Sequence, residues 1–286
     1  MRYAVIGAAG QVGQEFAKVL PATGLVPLPR ERANVVDPEL LAIGLAKVDF
    51  DVLVNLAAFH DVNGCETDGL KAFQVNALGA YHAAQEAARR KKKVVFFSSD
   101  YVFGLDRDRR TPSRERDAVG PVNVYGASKI AGEELVRAAN EQHLIVRASS
   151  LFGVVTSKKG WTFPEMIIRR AKAGEPLRVV NDQYMSPTYT LDLVRTVTAL
   201  IEAGATGTVH LANGGGCTWF EFASAALELA GIEHPIEPVN SDSFPAKAER
   251  PSYSSMESER LGDLGVAPLR HWREALKAYL VEKGIV

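Results

Sequence analysis

Through the first half of the chain, apolar residues alternate between short unbroken runs and longer stretches with an apolar residue every three or four positions. The runs at 3–6, 25–28, 52–55, 94–97 and 144–146 are too short for helices and consist mostly of Val, Ile, Leu and Phe. They predict strands covered on both faces. Between them, 11–20 places Val12, Phe16, Val19 and Leu20 on one helical face, and 37–48, 69–90 and 127–141 read the same way. Strict alternation of strand and helix predicts a parallel sheet with helices on both sides. After about position 147 the runs shorten and are broken by Gly and Pro, with helices expected at 163–173, 190–202, 219–230 and 271–282. The expected fold class is therefore α/β, a Rossmann-type doubly wound parallel sheet over 1–147. A smaller C-terminal lobe over 148–286 is expected to bind substrate, with some of its segments returning to the sheet.

Composition narrows the partners. The 286 residues carry 33 basic and 34 acidic side chains for a net charge of −1, so no chain-wide field attracts nucleic acid or a membrane surface. An anionic ligand must meet a local site. Cys65 and Cys217 stand far apart and in no metal-binding spacing, so no metal site is expected. The chain enters a strand pattern at once, without an export signal, and no apolar run reaches the roughly 18 residues of a membrane helix. The cytoplasm is the expected compartment. The basic cluster 89–93 ends a helix, where cations complement the dipole, and reads as a solvated face.

Candidate chemistry begins directly after the first strand. Gly7, Gly10 and Gly13 form G-x-x-G-x-x-G at the mouth of a helix opened by Gln11 and Val12. A tight turn, a close approach of pyrophosphate to backbone and free helix N–H groups make this a dinucleotide loop. The second strand runs into Arg30-Glu31-Arg32. Two guanidinium groups there favour the 2′-phosphate of NADPH, while Glu31 keeps NADH open.

Tyr125 and Lys129 stand four apart at the start of a helical pattern and so share a face. A tyrosine titrates near 10 in isolation, and an adjacent ammonium is expected to bring it toward the working range of a general acid/base. The fourth strand ends in Ser98-Ser99-Asp100-Tyr101, at the sheet's carboxyl edge, where a hydroxyl can bind a carbonyl oxygen. Loop, hydroxyl and Tyr/Lys pair occur in the order that a short-chain dehydrogenase/reductase requires.

With these motifs in hand, the chain resembles the dTDP-4-dehydrorhamnose reductases, an extended short-chain dehydrogenase/reductase family. The resemblance is carried by GAAGQVG (7–13), VNLAA (54–58), FQVNALGA (73–80), SSDYVFG (98–104), NVYGASKIAGE (123–133), LIVRASSLFG (144–153), NDQYMSPTY (181–189), VHLANGGGCTWFEFA (209–223) and ERPSYSSM (249–256). It implies hydride transfer from NADPH to the C4 ketone of a nucleotide-linked 4-keto-6-deoxy sugar. Tyr125 then protonates the developing alkoxide, Lys129 holds the ribose and tunes Tyr125, and Ser99 orients the carbonyl. It also implies cofactor contacts at Asn55, Ala57, Ala58 and Asn76, and substrate contacts at Asp100, Tyr101, Val102 and Arg250, the last facing the diphosphate. Some relatives use Mg²⁺, which no residue pattern here calls for, and a homodimer is left open. Two departures concern the sugar pocket: Ala148-Ser149-Ser150 stands where the family usually carries Thr-Ser-Trp, and Met185 where glycine is common. The competing readings are a non-catalytic regulatory subunit on the same fold, like that of methionine adenosyltransferase, and an extended-class epimerase or dehydratase.

Overall fold

The computed structural model describes residues 1–155 and 160–286. In chain order it contains β1 (Tyr3–Ile6), α1 (Gln11–Val19), β2 (Leu25–Leu28), α2 (Pro38–Leu45), β3 (Val52–Asn55), α3 (Val62–Thr67), α4 (Gly69–Phe73), α5 (Gly79–Arg89), β4 (Lys93–Ser99), α6 (Val124–Ala139) and β5 (His143–Ala148). There follow β6 (Leu151–Phe152), α7 (Phe163–Lys172), β7 (Leu177–Val180), β8 (Tyr184–Met185), β9 (Thr188–Tyr189), α8 (Thr190–Glu202), β10 (Gly207–Leu211), β11 (Cys217–Thr218), α9 (Trp219–Leu229), β12 (Ile236–Val239) and α10 (Trp272–Glu282).

The main sheet runs β10-β5-β4-β3-β1-β2 with every pairing parallel. The inner strands β1, β3, β4 and β5 are buried on both faces, whereas β2, expected to be covered likewise, lies at the sheet edge with Pro27 exposed; the period of two sorts the buried residues. Tyr3 and Val5 join Phe16, Leu193 and Val197 on the side of α1 and α8, whereas Ala4 and Ile6 join Leu41, Ala83 and Val136 on the side of α2, α5 and α6. From β1 the chain steps out to β2 and then back to β3 on the other side, so a crevice opens at the carboxyl ends of β1 and β3. The second half of the chain contributes α8 and β10 to this layer, and a separate aromatic core of Phe152, Tyr189, Phe222, Trp272 and Tyr279 holds β6–β9, α7, α9 and α10 together.

Two elements differ from expectation. The helix expected over 69–90 is interrupted by a π turn at Gln74–Leu78. There Asn76 is buried, its Oδ1 accepting from the Phe59 N–H at 2.8 Å and its Nδ2 donating to the Phe59 carbonyl and the Ser128 hydroxyl at 3.1 and 2.9 Å. The wider turn lets the amide satisfy all three groups. Helix α6 begins at Val124, three residues before the expected start, because Asn123 caps it by accepting from the Gly126 N–H at 2.8 Å.

Behind the sheet edge lies a buried polar cluster. His210, 1% exposed, faces the Ser113 and Glu257 carbonyls with Nδ1 and Arg147 with Nε2. Burial lowers its pKa to about 4, with Glu115 pulling upward and Arg147 adding to the fall. The unfolded histidine takes its proton near the ordinary 6.5, the folded one only near 4, so stability is complete above 6.5 and drains as the pH falls between these values. Calorimetry is expected to show the melting temperature dropping by on the order of 5 °C over that interval. His210→Gln flattens the drop, and an unchanged slope in that variant would place its origin elsewhere.

Candidate active site

The glycine loop sits where β1 ends. Gly7 has φ +79°, and a Cβ there would meet the Leu56 and Ala57 backbone at 3.3 and 3.4 Å. A Cβ on Gly13 would stand 2.6 Å from the Ala8 backbone, so helix and loop close on each other only with glycine. Gly10 is the N-cap of α1 and supplies no side-chain cap, leaving the N-terminal N–H groups of Gln11, Val12 and Gly13 to an outside acceptor. Across the crevice, Asn55 pairs with Ile6 in register and its Oδ1 accepts from the Ala57 N–H at 3.1 Å. The Asn55 and Gln11 side-chain amides are buried without a partner. An uncapped helix, a cradle that side chains would fill and two orphaned donors suit a dinucleotide pyrophosphate. Ala57 and Ala58 line the next turn half-buried. Asn76, by contrast, spends its amide on Phe59 and Ser128, so it shapes the site from behind rather than reaching a cofactor. Of the two arginines after β2, Arg32 donates from Nε to the Gly44 carbonyl at 3.3 Å, whereas Arg30 is exposed and makes no ion pair among the described residues.

Ser99 ends β4, and Tyr125 and Lys129 lie in the first two turns of α6. The helix is pinned there: Ser128 donates to the Tyr125 carbonyl at 2.7 Å and accepts from Asn76. Burial pushes the Tyr125 phenol above its ordinary value, contact with the Ser99 hydroxyl draws it back in part, and Asp100 and Tyr101 push it up further. The expected lowering by Lys129 is not found. The Lys129 ammonium lies 4.6 Å from the centre of the Phe96 ring, and burial lowers its own pKa to about 8, against the pull of Glu133 and Cys65. Spacing put both residues on one face, but the lysine's long stem folds toward β4. Burial thus holds the phenol in its protonated form, the form from which a proton donor must start.

Tyr101 meets Tyr125 edge to face, with ring centres 5.9 Å apart. Burial raises the Tyr101 phenol to about 12, with Asp100 adding to the rise and the nearby Arg250 guanidinium opposing it. Arg250 in turn lines a cavity of about 1300 Å³ together with Arg107, Arg110, Arg170, Arg178 and the aromatic rings of Phe163, Trp219 and Phe244. Arg107 is paired with Glu249, Arg170 with Glu175 and Arg178 with Glu237. Arg110 and Arg250 have no carboxylate partner among the described residues and are the charges left for an anion. Arg110 was not singled out from sequence, since nothing in the run 107–110 sets it apart from Arg107 and Arg109 beside it.

The remaining expected contacts need correction. Val102 is fully buried against Phe103 and Met256, so its side chain meets core and not ligand. Asp100, 3% exposed, turns its oxygens to three serine hydroxyls. Met185 packs into the core with Phe152, Ile167 and Cys217 and does not narrow the cavity. At the other departure, Ser150 is partly buried and adopts φ +44°, a left-handed conformation uncommon for a residue with a Cβ. Ser149 and Ser254, which sequence reasoning passed over, close on Asp100.

Residues 1–284 match the family model described as the RmlD substrate binding domain. The chain is 37% identical over 281 residues to the spore coat polysaccharide biosynthesis protein SpsK of Bacillus subtilis, covering 98% of this chain and 96% of that one. It is 36% identical to the dTDP-4-dehydrorhamnose reductase of Mycolicibacterium smegmatis, covering 96% of this chain and 84% of that one. A crystal structure of Bacillus anthracis dTDP-4-dehydrorhamnose reductase in complex with NADP superposes with a TM-score of 0.93 at 31% identity, over 98% of this chain and 99% of that one. Matched from end to end in sequence and in fold, the chain belongs to the RmlD family of dTDP-4-dehydrorhamnose reductases.

Proposed function

We propose that this chain reduces the C4 ketone of a nucleotide-linked 4-keto-6-deoxy sugar with NADPH, converting dTDP-4-dehydrorhamnose to dTDP-L-rhamnose. The observation that carries the reading is the placement of Ser99 at the carboxyl end of β4 with Tyr125 and Lys129 in the first two turns of α6, at the same edge of the sheet as the uncapped start of α1. The uncapped α1 terminus, Asn55 and Gln11 hold the dinucleotide, and Arg30 takes its 2′-phosphate. When bound, NADPH supplies the hydride that reaches C4. Tyr125 gives its proton to the carbonyl oxygen as charge develops there, and Ser99 donates a hydrogen bond to the same oxygen. Lys129, largely protonated below its value of about 8, holds the ribose. Arg110 and Arg250 bind the diphosphate. The proposed compartment is the cytoplasm, and no described helix is long and apolar enough to cross a membrane.

Loss of NADPH absorbance when the purified protein meets dTDP-4-dehydrorhamnose tests this directly. Tight cofactor binding without turnover would favour a regulatory subunit, and sugar conversion without net cofactor consumption an epimerase. A charge-assisted contact from Arg30 to the 2′-phosphate favours NADPH, so Arg30→Ala is expected to raise KM for NADPH about tenfold and leave that for NADH unchanged. Arg32→Ala has the smaller effect, because its guanidinium is already tied to Gly44. Equal changes for both cofactors in Arg30→Ala would show that Arg30 does not read the 2′-phosphate.

A further inference from the structure

Directly behind Ser99 lies a carboxyl group that the steps above do not use. Asp100 is buried where four segments meet: its own turn after β4, the end of β5, the first turn of α6 and the C-terminal stretch that carries Ser254. Its Oδ2 accepts from Ser149 Oγ at 2.8 Å and Ser254 Oγ at 2.7 Å, its Oδ1 meets Ser99 Oγ at 3.0 Å, and its own backbone N–H also faces the carboxyl. The groups facing it are these three serines with Tyr101 from its own turn and Tyr125 from α6. Arg250 reaches Tyr101, and no cation pairs with Asp100 among the described residues. Burial raises its pKa, and the hydrogen bonds from Ser254, Ser149 and Ser99 only partly oppose that.

Counting protons shows why this matters. The Ser99 hydroxyl has one proton and two lone pairs, and the Tyr101 N–H occupies one lone pair at 3.2 Å. If Asp100 is ionised, it can only accept, so it takes the Ser99 proton and leaves none for a substrate oxygen. If Asp100 is neutral, it donates from Oδ1 into the second lone pair, and the Ser99 proton is free to point toward Tyr125 and the place a substrate oxygen would take beside it. The bonding is uneven: Oδ2 holds the two shorter contacts, at 2.8 and 2.7 Å, and Oδ1 the longer one to Ser99, at 3.0 Å, which makes Oδ1 the oxygen placed to carry a proton toward Ser99.

We propose that Asp100 is held as a neutral carboxylic acid whose Oδ1 proton is given to Ser99, making it the positioning residue that turns the Ser99 hydroxyl toward the substrate ketone. Its role in turnover rests on the reductase reading; its protonation does not. The Ser149 and Ser254 hydroxyls hold the acid in this orientation, so the C-terminal segment takes part in aligning the reaction centre. No net proton leaves Asp100 in the step: Tyr125 supplies the proton that the product keeps.

Asp100→Asn and Asp100→Ala separate this role from packing. Asparagine presents an N–H donor to Ser99 and a carbonyl to the two serines, as the neutral acid does. The Asn variant is expected to keep kcat within about threefold of the unaltered chain, whereas Ala lowers kcat by on the order of 100-fold with KM for the sugar nucleotide nearly unchanged. The productive form is the protonated one, so kcat in the unaltered chain falls as the pH rises through the ionisation of Asp100. That limb is absent in Asp100→Asn, while the loss caused by Lys129 remains in both. The infrared carbonyl stretch of a protonated carboxyl, present at neutral pH in the unaltered chain and absent in Asp100→Asn, checks the protonation without cofactor or substrate. Should Ala fail to fold, the Asn variant, its pH profile and the infrared band decide. An Asn variant as impaired as Ala, an Asn variant that does not fold, or a missing infrared band overturns the proposal. A band present in a chain that never turns over removes the reductase reading and leaves the neutral acid standing.

Discussion

Tyr125→Phe is expected to lower kcat for the ketone reduction by on the order of 10⁴-fold while leaving the Kd for NADPH within about threefold. The substitution deletes one hydroxyl and keeps the ring, so the edge-to-face contact with Tyr101 survives. In the proposed reaction the lost atom is the one that gives up its proton as negative charge builds on the carbonyl oxygen, an interaction made chiefly in the transition state, so the loss is expected in kcat. The glycine loop, Asn55 and Lys129 are untouched, which is why cofactor binding serves as the control. Steady-state kinetics together with a fluorescence titration of NADPH measure both quantities. A variant that retained a tenth or more of the original rate would show that another group protonates the alkoxide.

The second large effect concerns stability. Arg147 and Glu133 form a bidentate pair at 2.7 and 2.9 Å, with side chains only 4% and 1% exposed. Arg147 also lies over the Phe103 ring and meets His210, and Glu133 is shared with Arg137 at 3.0 Å. Arg147→Ala leaves Glu133 with a half-exposed partner in place of a buried one and is expected to destabilise the fold by roughly 3–5 kcal/mol. For a chain of this size that corresponds to a melting temperature lower by on the order of 10 °C. Pairing it with Glu133→Leu removes the stranded carboxylate, so the double variant recovers part of the loss. Urea denaturation of the two single variants and the double measures the coupling. If the single Arg147 variant loses less than about 1 kcal/mol, the pair is no stronger than a surface ion pair. Glu133 lies one turn beyond Lys129 and draws its pKa upward, so this structural pair also bears on the reaction centre.

Much of this was legible along the chain, for local reasons. β1, the glycine loop and α1 follow one another within a few residues, and their sequence period and spacing reflect the same turn that the backbone makes. The shared face of Tyr125 and Lys129 follows from helical geometry. The start of α6 was less legible: Gly126 is a poor helix former, and only the Asn123 cap shows that the helix has already begun. The π turn within the stretch 69–90 depends on what Asn76 meets at Phe59 and Ser128, 17 and 52 residues away. The parallel pairing of β7 with β12 joins Leu177 to Ile236 across the whole of α8, β10 and α9 and has no signature in either segment.

Sequence alone determined the fold class, set the glycine loop at the mouth of α1 and put Tyr125 and Lys129 on one helical face, because period, glycine placement and four-residue spacing are properties of neighbours in the chain. Tertiary structure decided where each side chain ends and what it can do with a proton. It turned the Lys129 ammonium toward Phe96, put the Tyr125 phenol where burial raises its pKa, placed Met185 in a core, and brought Ser254 to Asp100 across 154 residues. Burial and long-range contact set protonation and hydrogen-bond direction, and both exist only once the distant segments have packed.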